Sequence, residues 1–384
     1  MSAPLRSVED LDVKGKRVLL RADLNVPLKG GRVSDDSRLR AAAPTLALLR
    51  QRGARVVLCS HLGRPKGRDE KLSLRPVADV LGLPLAPDCI GPEVERQVAA
   101  LRDGEALLLE NLRFHAEEEK NDPAFVQALA RLADVYVNDA FGAAHRAHAS
   151  TEGVAHVVRQ CAAGLLLLRE LDALERVSSR PARPFVCIIG GAKVSDKLGV
   201  LTALAERADV IGIGGAMAYT FLLAKGEPVG RSLVEKDRVD VARALLGGKA
   251  EIVLPVDHVV ASSLEDAAGA RTVDRIPDDA VALDIGPRSV EALAARVQSA
   301  ATVFWNGPLG LFERPPFDRG TRAIAQACAA SKAYTVVGGG DSLAAVNAAG
   351  VADRFGHLST GGGASLEFLE GSPLPGVEAL RRPA

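Results

Sequence analysis

The sequence has no Cys-x-x-C pair, no net charge and no long apolar run. It also lacks the short loops that mark the commonest nucleotide-binding folds. The five cysteines (Cys59, Cys89, Cys161, Cys187, Cys328) are odd in number and widely spaced. That argues against a zinc ribbon or a thioredoxin motif and fits reduced thiols of the cytosol. Lys and Arg number 48, and Asp and Glu also 48. The basic excess of a general nucleic-acid binder is therefore missing, as are an acidic tail and a polybasic membrane patch. The N-terminal stretch MSAPLRSVEDLDVKGK has no apolar signal core. The longest apolar stretch, around Cys161 to Leu168, is too short to span a bilayer. The expectation is a cytoplasmic globular protein without nucleic-acid or membrane partners.

Several chemical templates are absent too. The P-loop pattern Gly-x4-Gly-Lys-Ser/Thr does not occur, and no Gly-x-Gly-x-x-Gly follows the first apolar run. There is no Gly-x-Ser-x-Gly elbow and no His-Arg-Asp or Asp-Phe-Gly of a protein kinase. With 384 residues and 47% apolar content, the chain can bury a large core without disulfides. At roughly 150 residues per domain it has room for two to three.

What is present is a series of short Val/Ile/Leu runs, each ending in Gly, Asp, Asn or His. They include RVLLRADLN (17–25), RVVLCSHLG (55–63), ALLLENLRF (106–114), VYVNDAF (135–141), FVCIIGGAK (185–193) and VIGIGGA (210–216). IVLPVD (252–257), VALDIG (281–286), TVFWNGPLG (302–310) and YTVVGGGDS (334–342) follow. Runs of this kind read as strands buried on both faces of a parallel sheet. Helical patterns lie between them, at Arg38–Gln51, Pro123–Leu132 (Asp122 as N-cap), Ser195–Ala208 and Arg319–Ser331. The alternation predicts an α/β fold with helices on both sheet faces. A helix-like stretch, 164–177, ends in SSRPARP, which marks a domain junction.

Ligands of such sheets bind beyond the carboxyl ends of the strands. In the first half those ends carry Asp23, Asn25, Arg38, His61, Arg64, Arg113 and Arg146. Arg offers a rigid donor fork for phosphate and carboxylate oxygens, so a small, multiply anionic guest is expected. His145 and His148 are spaced i, i+3 but lack further ligands nearby, so metal ligation is not supported. In the second half the strand ends are glycine-rich: 190–191, 214–215, 338–340 and 361–363. Glycine turns that lead into helix N-termini suit phosphate. Lys193 and Lys197 lie one helical turn apart. Asp341, beside a glycine loop, is a Mg²⁺ candidate.

Together RADLNVP (21–27), SHLGRP (60–65), ENLRFH (110–115), NDAFGAAHRAHAS (138–150), GGAKVSDKL (190–198), WNGPLGLFE (305–313), GGGDS (338–342) and STGGGASLEFLEG (359–371) resemble the phosphoglycerate kinase family, in the family order and over essentially the whole chain. The resemblance implies two Rossmann-like three-layer lobes, each with a mainly parallel sheet. They would be an N-terminal lobe of 1–163, a linker helix of 164–180 and a C-terminal lobe of 181–365, with 366–384 returning to the first. It implies reversible, Mg²⁺-dependent phosphoryl transfer from 1,3-bisphosphoglycerate to ADP, giving 3-phosphoglycerate and ATP after hinge closure, by a cytoplasmic monomer. It assigns catalysis to Arg38, Lys193, Lys197, Gly361 and Gly362. Substrate binding falls to Asp23, Asn25, Arg38, His61, Arg64, Arg113 and Arg146. Nucleotide binding falls to Gly191, Lys193, Lys197, Gly214, Gly286, Asn306, Glu313, Gly339, Gly340, Asp341 and Ser342, with Asp341 also holding the metal. A non-catalytic two-lobed anion-binding protein is the alternative. It would not need Lys193, Lys197 and Asp341 alongside the arginines.

Overall fold

The structure is a computed structural model described over residues 4–381. The first four apolar runs become β1 (Arg17–Arg21), β4 (Arg55–Cys59), β5 (Ala106–Leu108) and β6 (Val135–Asn138), and outside those runs lie the hairpin strands β2 (Leu28–Lys29) and β3 (Arg32–Val33) and the strand β7 (Gln160–Ala163). Outside the hairpin they form one sheet in the order β5-β4-β1-β6-β7. All its pairs are parallel, with Leu20 facing Leu58 on one side and Val137 on the other. Helices α1 (Ser37–Gln51), α2 (Arg75–Leu81), α3 (Pro92–Ala100), α4 (Pro123–Ala130) and α5 (Val154–Val157) connect the strands. The expected start of α4 is present: Asp122 accepts from Ala124 N–H (2.9 Å) and Phe125 N–H (3.0 Å). Leu20, Val56, Val137, Leu39 and Leu49 lie in one buried cluster.

After α6 (Leu165–Ser178) a second set follows. Its strands are β8 (Phe185–Ile189), β9 (Val210–Ile213), β10 (Glu251–Val253), β11 (His258–Ala261), β12 (Arg271–Val273), β13 (Val281–Ile285), β14 (Thr302–Asn306), β15 (Tyr334–Gly338) and β16 (His357–Leu358). Six of them build a parallel sheet, β10-β9-β8-β14-β15-β16. Its helices are α7 (Leu198–Ala205), α8 (Met217–Ala224), α9 (Val239–Leu246), α10 (Pro287–Ser299), α11 (Arg319–Ala330), α12 (Gly340–Ala348) and α13 (Gly363–Leu369). Trp305 is fully buried among Ile188, Ile324 and Val337. The run at 281–286 departs from the parallel reading. It forms β13 in a separate antiparallel sheet, β12-β11-β13. An apolar run reports burial and leaves strand direction open.

The chain divides into two compact units: one reaches Leu171 and resumes at Pro373, and the other is Asp172–Ser372. The expected borders at 163, 180 and 365 are therefore corrected. The start of α6 belongs to the first unit because Asp139 Oδ1 accepts from Leu166 N–H (2.8 Å) and Leu167 N–H (3.1 Å). The expected return from 366 begins later. Arg207 donates to the Leu369 carbonyl (2.8 Å), which keeps α13 in the second unit. Beyond Pro373 comes α14 (Pro375–Glu378), where Gly376 N–H donates to the Ala144 carbonyl (2.9 Å) of the first unit. Among the described residues, no helix is long and apolar enough to cross a membrane.

Candidate active site

In the first unit the predicted anion-binding residues stand past the carboxyl ends of β1, β4, β5 and β6. Asp23 is buried and accepts from Arg38 Nη1, with 2.9 Å to each oxygen. It also accepts from the Asn25 N–H (3.2 Å). Asn25 Oδ1 in turn accepts from Gly63 N–H (2.9 Å), tying the β1 loop to the β4 loop. Arg113 Nη1 donates to the Gly63 carbonyl (2.8 Å), and its Nε lies 3.1 Å from Glu119. Arg64 and Arg146 are exposed.

Electrostatics tie these groups into one cluster. Burial first, then the charges of Arg21, Arg113 and Arg38, hold the His61 imidazole well below its ordinary range. Burial, then Arg113, Arg21 and Arg146, push His148 down to about 4. Arg64 acts on Arg113 in the same sense. Neutral histidines among mutually repelling arginines describe a surface that gains from a multiply charged anion.

In the second unit a cavity of about 250 Å³ is lined by Lys197, Asn306, Gly339, Asp341, Ser342 and Gly362, among others. Gly339 (φ +91°) is the N-cap of α12, and Gly362 (φ +53°) that of α13. Both φ values lie where L side chains are strained. The N–H groups that open α12 form a ready anion site. Lys197 Nζ donates to Asn306 Oδ1, and burial lowers its pKa. Ser342 Oγ accepts from Gly307 N–H (2.5 Å) and so pins the β14 loop to α12. Asn306 Nδ2 is buried and has no hydrogen-bond partner among the described residues. It is a donor without an acceptor, next to a lysine and a helix N-terminus.

The model of the phosphoglycerate kinase family matches residues 8–372. The phosphoglycerate kinase of Solibacter usitatus is 56% identical, covering 98% of this chain and 99% of that protein. That of Moorella thermoacetica is also 56% identical, over 97% of this chain and 98% of its own. Among solved structures, the phosphoglycerate kinase of Coxiella burnetii superposes with a TM-score of 0.89 at 39% identity, covering 98% of this chain and 99% of that one. That of Pyrococcus horikoshii gives 0.86 at 34%, covering 98% of each chain.

The chain belongs to the phosphoglycerate kinase family. It is a phosphotransferase with two α/β lobes, each built on a mainly parallel sheet. Within this phosphoglycerate kinase family member several expected site residues stand apart from that cavity. Lys193 does not share a helical face with Lys197. It lies exposed before a 3-10 turn (Ser195–Lys197), whose first residue is held by Glu235, which accepts from Ser195 N–H (3.1 Å) and Oγ–H (2.5 Å). Gly214 is needed for packing: a Cβ there would overlap the Leu309 side chain. Gly286 is needed because Asp257 fills the adjoining space. Asp257 accepts from the N–H groups of Arg288 (3.0 Å) and Ser289 (2.8 Å) at the start of α10. Neither glycine is among the cavity-lining residues, nor is the exposed Glu313. Gly361 is buried, and its N–H donates to Ser359 Oγ (3.2 Å).

The sequence reading missed the groups behind the arginines. Arg21, Glu118 and Ser150 are buried and joined to His61. Arg21 could be suspected as a charge closing an apolar strand. Glu118 sits in the run Glu117–Lys120, which reads as solvated surface.

The second-unit residues fit Mg²⁺ with a nucleotide. Asp341 is exposed and electrostatically coupled to Lys197. It offers one carboxylate, the usual protein share when phosphates and water complete the shell. The orphaned Asn306 Nδ2 points to an acceptor-rich guest beside it.

Proposed function

We infer that the first unit binds the glycerate compound and the second the nucleotide. The reaction this phosphotransferase catalyses is the reversible transfer of a phosphoryl group from 1,3-bisphosphoglycerate to ADP, giving 3-phosphoglycerate and ATP. Asp23, Asn25, His61, Arg64, Arg113 and Arg146 hold 3-phosphoglycerate, and Arg38 stabilises the phosphoryl group in transfer. Lys193 follows the transferred phosphate and Lys197 binds the nucleotide phosphates, with Gly361 and Gly362 beside the transferred group. Gly191, Gly214, Gly286, Asn306, Glu313, Gly339, Gly340, Asp341 and Ser342 frame the nucleotide. Asp341 is the protein ligand of Mg²⁺, which when bound neutralises phosphate charge.

In the direction of ATP use the acceptor is a carboxylate, ionised at neutral pH. No general base is required of the protein. Its residues position the reactants and spread positive charge over the equatorial oxygens, which is the main catalytic demand of phosphoryl transfer. The observation that carries this division is chemical. The first unit gathers Arg and neutral His around a pair-locked Arg38, while the second gathers glycine N–H groups, Lys197 and Asp341. We also read the chain as a monomer, as its family resemblance implies.

The test is ATP consumption dependent on 3-phosphoglycerate and Mg²⁺, repeated with Arg64→Ala and Arg146→Ala. Both variants should raise the KM for 3-phosphoglycerate about tenfold and leave that for Mg-ATP alone. An unchanged 3-phosphoglycerate KM in both would remove the substrate assignment. Light scattering giving twice the mass of one chain would remove the monomer.

A further inference from the structure

Behind His61 runs a line of buried hydrogen bonds whose direction is fixed by chemistry. Glu118 accepts from Ser150 twice, from Oγ–H (2.5 Å) and from N–H (3.0 Å). The single hydroxyl proton of Ser150 is thereby used, so its oxygen is left to accept. It accepts from Arg21 Nε–H (2.8 Å). Arg21 Nη1 donates to the Ala22 carbonyl (2.5 Å), and Nη2 stands 3.0 Å from His61 Nδ1. Arg21, Glu118 and Ser150 are each 1% exposed or less, and His61 is 7% exposed.

A guanidinium has five donors and no acceptor. His61 Nδ1 must therefore offer its lone pair, and in a neutral ring the proton then sits on Nε2. A proton on Nδ1 would set donor against donor in a buried place. We propose that Arg21 is a positioning residue that locks His61 as the neutral Nε2–H tautomer, so that His61 meets the anionic substrate as a hydrogen-bond donor and not as a cation. The last clause rests on the reading of His61 as a substrate contact.

Two further features support the lock. Glu118 faces Arg21 across Ser150, and the Arg21 charge and the two Ser150 bonds favour its carboxylate against burial. The charged and titratable groups acting on His61 are Arg21, Arg113, Arg38 and His148. The three arginines are cationic, and His148 is itself held neutral. The three arginine charges oppose an imidazolium. Neutral donors at an anion site give directional bonds, leaving the charge balance to the arginines.

The test is imidazole nitrogen NMR on the full chain labelled with ¹⁵N-histidine. There are 7 histidines, and the His61 signals are those lost in His61→Gln. The wild type should show one His61 tautomer with the proton on Nε2, unchanged from about pH 5 to 8. A protonated Nδ1 there overturns the proposal, and this measurement needs no altered Arg21. Arg21→Met should populate the Nδ1–H form and let His61 titrate, whereas Arg21→Lys, which keeps a donor, should restore the single tautomer. An Arg21→Met spectrum identical to wild type also overturns it. Kinetically, Arg21→Met should raise the KM for 3-phosphoglycerate about tenfold with the KM for Mg-ATP unchanged. Added 3-phosphoglycerate should move the Nε2 signal. If it does not while the tautomer stays single, His61 is not a substrate contact and the lock alone stands.

Discussion

One nitrogen of Arg38, Nη1, lies 2.9 Å from both carboxylate oxygens of Asp23. A second nitrogen in the pair would have given a fork-to-fork bridge. Asp23 instead holds the guanidinium by one corner and leaves Nε and Nη2 outside the pair. Asp23 is almost completely buried, while the Arg38 side chain is about one-third exposed. The acid orients, and the arginine presents its free edge.

That geometry separates the two residues kinetically. Arg38→Ala should lower kcat by about 10³-fold or more, the scale of an arginine acting on a transferred phosphoryl group. The KM for Mg-ATP should stay within about threefold. Asp23→Asn keeps an acceptor beside Arg38 and should cost kcat far less. Steady-state rates of both variants check this. Equal losses would mean that Asp23 does more than orient.

Asp341 is the exposed carboxylate at the start of α12. Asp341→Asn should weaken Mg-ADP binding and leave 3-phosphoglycerate binding intact. Calorimetry of each ligand reads the two arms separately. An unchanged Mg-ADP affinity would show that the metal is held elsewhere.

Gly214 and Leu309 test packing against ligand contact. Gly214→Ala should destabilise the second unit by about 1–3 kcal/mol, the usual cost of overpacking, before any ligand is added. Leu309→Ala creates a cavity of its own. Because each change relieves the other, the double variant should be less destabilised than the sum of the two. Additive losses in urea unfolding would show that Leu309 is not what requires the glycine.

How much of this was legible depends on which physical property each residue obeys. The strand-end arginines could be read because an apolar run ending in polar residues fixes where a parallel strand stops, and Arg64 and Arg113 follow directly. The i, i+4 spacing of Lys193 and Lys197 could not place them on one face, because Lys193 precedes the 3-10 turn Ser195–Lys197. The β13 run kept its burial and lost its parallel neighbour, since direction is set by partners and not by hydrophobicity. The link between Arg21 and Glu118 is invisible for a related reason. A buried ion network depends on what separate segments of the chain place together, here the end of β1, the loop at Glu118 and the turn at Ser150, and no local spacing announces it.

Asp139 carries a pH signature of the junction. Its Oδ1 accepts from the N–H groups of Leu166 and Leu167, and Gly164 passes so close that a Cβ would overlap the carboxylate. Burial dominates these bonds and pushes the carboxyl up to about 6. The unfolded chain loses this proton near pH 4 and the folded chain near 6, so between those values the folded state binds more protons. Stability from this group is therefore complete below about pH 4, falls as the pH rises to about 6, and is constant above. The loss across that window amounts to about 3 kcal/mol. Asp139→Asn keeps an acceptor for the two N–H groups and removes the ionisation. Relative to wild type, the variant should gain stability as the pH rises from about 4 to 6. Carboxylates held low, such as Asp134 paired with Arg17, give the opposite slope but are common to both proteins, so the difference isolates Asp139. Urea midpoints of the two proteins across that window read it directly. A difference that stays constant with pH would mean that Asp139 is ionised in the folded chain at the same pH as in the unfolded one.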